Sequence, residues 1–186
     1  MRIQTFIASA VVCLVSLTSC SSHSGVTSSA SDIAGASRQA LETLYQTTPG
    51  ARALGSRATG VLVFPNIVDA GFVFGAEFGE GALFEGGVPT AYYNTTAASF
   101  GFQAGVEKFG YALFFMSPQD LEYLKKSKGW ELAALPSLTV MDKGVGGTLS
   151  TTASRSGIYA FFFEQRGLMG GISLQGAKIT RIDPNA

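Results

Sequence analysis

Thirteen carboxylates, one histidine and two cysteines are the residues from which acid–base, nucleophilic or metal chemistry would have to be built in this chain of 186 residues. His23 lies in SSHSGVTSSA, a polar run without apolar periodicity. A histidine on such a tether is not held in the geometry a general base needs, so histidine triads are not expected. Cys13 and Cys20 both fall in the first twenty residues, which leaves any metal site to carboxylates alone. Neither a metal nor a cofactor is expected. Glu77 and Glu80 are three residues apart in GFVFGAEFGEGALFEGG, and on a strand that spacing sends them to opposite faces. They cannot serve each other as acid and base, and a distant carboxylate such as Glu107 would be needed. A phosphate loop is excluded as well, because Gly79-x-Gly81 is followed by Phe84 instead of a third glycine and no Gly-Lys pair occurs. The chain therefore reads as a non-enzyme, with a carboxylate hydrolase as the weaker rival.

The elements that would position these residues follow from periodicity. Between Gly71 and Glu85 the even positions carry Phe72, Phe74, Phe78 and Phe84, and the odd positions carry mostly glycine. A period of two predicts a strand with an aromatic face and a bare one. A membrane helix is disfavoured despite the GxxxG spacing, since Glu77, Glu80 and Glu85 would fall within the span. Ser99 to Glu107 alternates in the same way, and Gly170 to Gly176 does so more weakly. Repeated strand glycines predict sharp bending. Further extended runs are Gly60 to Pro65, Gly110 to Met116, Leu138 to Asp142, Gly147 to Thr152, Ile158 to Glu164 and Lys178 to Ile182.

Two helices interrupt the strands. From Ser31, with Ser31 or Asp32 as cap, Ile33, Ala36, Ala40, Leu41, Leu44 and Tyr45 make an apolar stripe that Pro49-Gly50 stops. A short turn over Ala51 to Arg57 follows. The second helix runs from Ser117 to Lys128, with Ser117 as cap, Pro118 in the first turn and Leu121 and Leu124 inward. Its last turn gathers Lys125, Lys126 and Lys128. The fold class is thus α+β, mainly β: a strongly curved or partly closed antiparallel sheet with an N-terminal amphipathic helix and one further short helix.

The N-terminus carries its own signal. The apolar run Phe6 to Leu17 is too short to span a bilayer but suits a secretory leader. Leu17-Thr18-Ser19-Cys20 resembles the lipobox of bacterial lipoproteins, which makes residues 1–19 a signal peptide and Cys20 the lipidation site. Cys13 would leave with the leader. Residues 20–30 then form an acylated, flexible tether of about 17 Å mean reach, and residues 31–186 a single domain. Two or three acyl chains anchor durably where one does not. Ser21, where an aspartate would resemble an inner-membrane retention signal, favours the outer membrane of a bacterial envelope. Equal numbers of basic and acidic residues, 13 each, give no net charge and make nucleic acid an unlikely partner.

Several blocks together resemble the SYLF domain, or Ysc84-like, family: ATGVLVFPNIVDAGFVFGAEFGEGALF, Tyr92-Tyr93, ASFGFQAG from Ala98, FMSPQDLEYLKKSKGWE and GLMGGISLQGAKITRID. The resemblance spans Arg38 to Asp183 and implies a lipid-binding domain. Eukaryotic members of that family bind phosphoinositides through a basic amphipathic helix, and some bind actin. Here the matching helix offers Arg38 alone, with Arg52 and Arg57 beyond it, so neither inositide specificity nor actin is carried over. The expected function is phospholipid binding by an apolar surface or pocket rimmed by cations. Lys125, Lys126, Lys128, Arg52 and Arg57 are the headgroup candidates. The alternative is an envelope scaffold that contacts a protein and uses lipid only as a tether.

Overall fold

A computed structural model describes residues 28–71, 74–100, 105–127, 129–131, 138–141, 156–166 and 177–185. The leader, Cys20, His23, Lys128 and the runs expected at Gly147 to Thr152 and Gly170 to Gly176 lie outside the described residues.

Helix α1 spans Ala30–Thr47. Its cap is Ser29, two residues ahead of the expected one; the Ser29 Oγ accepts from the Asp32 backbone N–H at 3.2 Å and donates to the Asp32 carboxylate at 2.6 Å. Asp32 thus sits in the first turn, where its charge favours the helix dipole. The buried stripe is Ile33, Ser37, Ala40 and Leu44, so a serine replaces the expected Ala36 at the centre of the packed face. The turn expected over Ala51 to Arg57 is a true helix, α2, over Pro49–Gly55. Pro49 supplies a pre-set φ at its start, and Ala51 and Leu54 are fully buried.

The strands are β1 (Gly60–Gly71), β2 (Phe74–Glu85), β3 (Val88–Phe100), β4 (Gly105–Phe115), β5 (Trp130–Glu131), β6 (Leu138–Met141), β7 (Ile158–Arg166) and β8 (Lys178–Ile182), with helix α3 (Pro118–Lys126) between β4 and β5. They form one sheet in the order β5-β8-β3-β2-β1-β4-β7-β6. The architecture is α+β and mainly β, as the sequence predicts. Two details differ. The sheet is open, with β5 and β6 at its edges, because the order does not return on itself. It is also mixed, since β6 pairs with β7 in parallel while all other pairs are antiparallel. Of the alternation expected from Ser99 to Glu107, Ser99 and Phe100 end β3 and Gly105 to Glu107 begin β4, while residues 101–104 lie outside the described residues.

Strand parity sorts the core into two layers. On one face Leu62, Phe64, Leu83, Tyr93, Tyr111 and Leu113 meet Leu121 and Leu124 of α3. On the other, Val61, Val63, Ala82, Phe84, Ala112 and Phe114 meet Ile33, Leu44, Ala51 and Leu54 of α1 and α2. The glycine-rich face of β2 is the inner one on the α3 side. Gly79 and Gly81 are bare because Ile67 and Phe64, with their backbone, occupy the space a Cβ would need. The phenylalanine face divides: Phe84 is buried beneath α1, and Phe78, farther along the strand, is exposed.

Both ladders of β1 shift register near one place, between Val63 and Asn66 against β2 and between Phe64 and Ile67 against β4. Such an irregularity bends a strand locally. The buried Ser37 works just before it. Its Oγ donates to the Val63 carbonyl at 3.1 Å and accepts from the Ala82 N–H at 3.2 Å, so one hydroxyl joins α1 to two neighbouring strands.

Candidate functional site

Two segments, the β2–β3 turn and α2, pack beside α1. Gly86 and Gly87 form the β2–β3 turn with φ of 58° and 81°, a region open to glycine at little cost. Arg38 of α1 donates from Nη1 to the Gly87 carbonyl at 3.2 Å and lays its guanidinium 5.2 Å from the centroid of the Phe84 ring. From α2, Arg52 Cζ stands 5.4 Å from the Tyr45 ring centroid, and Arg52 Nε donates to the Tyr45 carbonyl at 3.3 Å. The Tyr45 hydroxyl lies against Gly55, where a Cβ would collide with it.

Between these segments lies a groove of about 350 Å³. Leu41, Tyr45, Ala58, Val61 and Phe84 make its apolar walls, and Arg38 and Glu42 stand at its rim. The two charges are four residues apart on α1, yet Arg38 is turned onto Phe84 and Gly87 instead of closing on Glu42. Burial pushes the Tyr45 phenol above its ordinary range, and the Arg52 charge opposes that only in part. This phenol is a neutral hydroxyl at physiological pH.

The four described headgroup candidates do not form one patch. Lys125 pairs with Glu85 at 2.7 Å and Lys126 with Glu122 at 2.6 Å, both on α3 and its side of the sheet. Arg52 and Arg57 belong to α2 and the turn after it, on the opposite side; Arg57 Nε donates to the Ala53 carbonyl at 3.3 Å. Arg38 lines the groove, with Arg52 nearby; the sequence marks Arg38 as the one basic residue of the helix that matches the family's lipid-binding helix, but not as a headgroup candidate.

The carboxylates Glu77 and Glu107, a distant pair that the sequence suggests, are brought into one row by Asp69, which it does not. Asp69 on β1 is directly opposite Glu77 on β2 and directly opposite Glu107 on β4, all on the α3 face. Glu77 and Glu107 are each 6% exposed, and the Glu77 Oε1 has no hydrogen-bond partner. Burial, followed by the charges of Asp69 and Glu107, lifts the Glu77 carboxyl to about 7. Burial and then Asp69 also push Glu107 upward. Further along the same face the Tyr111 hydroxyl donates to Thr95 Oγ1 at 3.0 Å. Glu80 is on the other face, as its spacing from Glu77 predicts, half-buried between Asn66 and Asn94. Among the described residues no group of three or more His, Cys, Asp or Glu is arranged to hold a metal ion. Among them, too, no helix is long and apolar enough to cross a membrane.

Residues 96–185 match the Ysc84 family model. That family is described as Las17-binding protein actin regulator. The match takes in the end of β3 and everything through β8, and leaves α1, α2, β1 and β2 outside it. The groove therefore lies in the part of the chain the Ysc84 match does not cover, and α3 lies within it. No curated protein matches the chain.

Proposed function

We propose that the chain is a non-catalytic, membrane-anchored envelope lipoprotein whose domain binds phospholipid in the groove between α1, α2 and the β2–β3 turn. The observation that carries this reading is the groove itself: apolar walls with a guanidinium and a carboxylate at one rim. Small-molecule sites are concave and mostly apolar, with a few polar groups that fix orientation. Arg38 suits a phosphate, and Glu42 suits the ammonium of a zwitterionic headgroup. At about 350 Å³ the groove is at the small end of ligand sites, so it takes a headgroup and the top of one chain while the rest stays in the bilayer. Acyl chains on Cys20, at the outer membrane of a bacterial cell, would hold the domain within reach of such lipids.

The test is vesicle flotation of a chain beginning at Ser21, which lacks the acylated cysteine but keeps the Ser29 cap. Binding to phosphatidylethanolamine vesicles that weakens in Arg38→Ala is the expected result. No flotation with vesicles of any composition would overturn the reading. A second reading is a protein-contact module with lipid only as tether, favoured by the protein-binding description of the matched family. It predicts no flotation, together with stoichiometric capture of one envelope protein.

A further inference from the structure

The row formed by Glu77, Asp69 and Glu107 serves no lipid-binding purpose, since it faces away from the groove into the α3 side of the sheet. Like charges directly opposite on neighbouring strands repel, and a charge on Glu77, whose buried Oε1 has no hydrogen-bond partner, is costly. The row lies beyond the register shift at Val63 to Ile67. Before that shift β1 is sandwiched between α1 and α3, whereas Phe78, on the outer face beyond it, is 51% exposed. The sheet thus has one half packed on both faces and a distal half buried on its inner face, with Phe78 exposed on its outer one.

We propose that this row is a proton-operated latch, which closes the distal half of the β1, β2 and β4 ladders when it holds a proton and loosens them when the proton leaves. In the closed state the proton sits on Glu77 and its O–H donates to a neighbouring carboxylate of the row. Only an O–H bond is made or broken; the proton comes from water and returns to it. Facing Glu77 are Asp69 from β1, Glu107 and Tyr111 from β4, and Thr95 and Ala97 from β3, the last two not titratable. Tyr111 stays neutral, because burial pushes its phenol up, which outweighs its bond to Thr95, and the Glu77 charge pushes further. Lys108 and Lys178 are paired with Val68 and Thr96 on the outer face, away from the row. Burial is also what brings the change into the neutral range, with Glu77 titrating at about 7.

Amide hydrogen exchange of the full chain at pH 5.5 and pH 8.5, corrected for intrinsic rates, tests the latch. Residues Ile67–Gly71 and Gly75–Gly79 should lose protection by about tenfold or more at the higher pH, a change equivalent to one unit of proton affinity, and at both pH values should stay less protected than Val61–Val63, which exchange only through global unfolding. Glu77→Gln, neutral and nearly isosteric, should stay protected at both pH values. Should that variant not fold, Asp69→Asn takes its place, with the expectation of a reduced pH effect. In the wild-type chain the Glu77 carboxyl carbon should titrate near neutrality by NMR. Protection that is the same at both pH values, an unchanged pH effect in the variants, or a Glu77 titration in the ordinary carboxylate range would overturn the proposal.

Discussion

Lys125 Nζ lies 2.7 Å from Glu85 Oε2, one residue before the glycine turn whose carbonyl Arg38 holds from the other face of the sheet. The turn is pinned from both sides, and the lysine is thereby committed within the fold. Partial burial raises the Glu85 carboxyl, but hydrogen bonds from Lys125 and Thr90 together outweigh it and leave the group below its usual range. The side chains are 32% and 27% exposed, so the pair contributes roughly 0.5–1 kcal/mol. That contribution is present above the ordinary glutamate range and is lost as pH falls through the lowered value.

Vesicle binding should therefore distinguish the two cation sets. Lys125→Ala and Lys126→Ala are expected to leave flotation nearly unchanged, because neither residue reaches the groove. Arg38→Ala should weaken it about tenfold, the loss of one charge-assisted hydrogen bond. A binding curve that drops for the lysine variants and not for Arg38→Ala would place the headgroup contact on α3.

Global stability should fall as pH rises through the acidic range. Glu77 in the folded chain binds its proton up to about 7, against an ordinary value of 4.5. Between those two values the native state holds more protons than the unfolded one, so raising the pH destabilises the fold. The upper limit is roughly 3 kcal/mol from this one group. Urea midpoints measured from pH 4.5 to 8 should decline in the wild type and decline less in Glu77→Gln.

Ser37→Ala should be costly out of proportion to one oxygen atom. The substitution removes the hydroxyl that bridges the Val63 carbonyl and the Ala82 N–H in the layer between α1 and the sheet, where both residues are fully buried. A buried polar group left without its partner costs about 1–3 kcal/mol. The urea midpoint should drop with little change in slope, which separates this local loss from a change in the compactness of either state.

Much of this fold was legible because local signals and tertiary packing agree. Ser117, Pro118 and Leu121 predict α3, and the period of two predicts β2. Strand β3 was not anticipated: its inward residues Ala91, Tyr93, Thr95 and Ala97 alternate with the outward residues Tyr92, Asn94 and Thr96, so the two faces differ little in hydrophobicity. The groove was foreseen as a kind of site but not by its residues, since Arg38 meets Gly87 only through the fold, 49 positions apart. Asp69 carried no signal either. Its meaning comes from register with Glu77 and Glu107, and register across three strands is set by the whole sheet.

Gly81→Ala tests why the inner face of β2 is bare. A Cβ at that position would collide with the Val63 carbonyl oxygen and lie 2.7 Å from Phe64 Cδ1. The phenylalanine ring cannot retreat easily, because it is fully buried and packs against Tyr111 with ring centroids 5.0 Å apart. The carbonyl cannot shift without breaking the hydrogen bond it accepts from Ser37. Overpacking of this kind costs about 1–3 kcal/mol, so the variant should unfold at lower urea. Gly35→Ala supplies the contrast: no atom lies within 4 Å of a Cβ there, on an exposed turn of α1, and alanine is the better helix former. It should raise stability by roughly 0.5–1 kcal/mol. Equal effects of the two substitutions would show that backbone entropy alone, and not close approach, accounts for the glycines of β2.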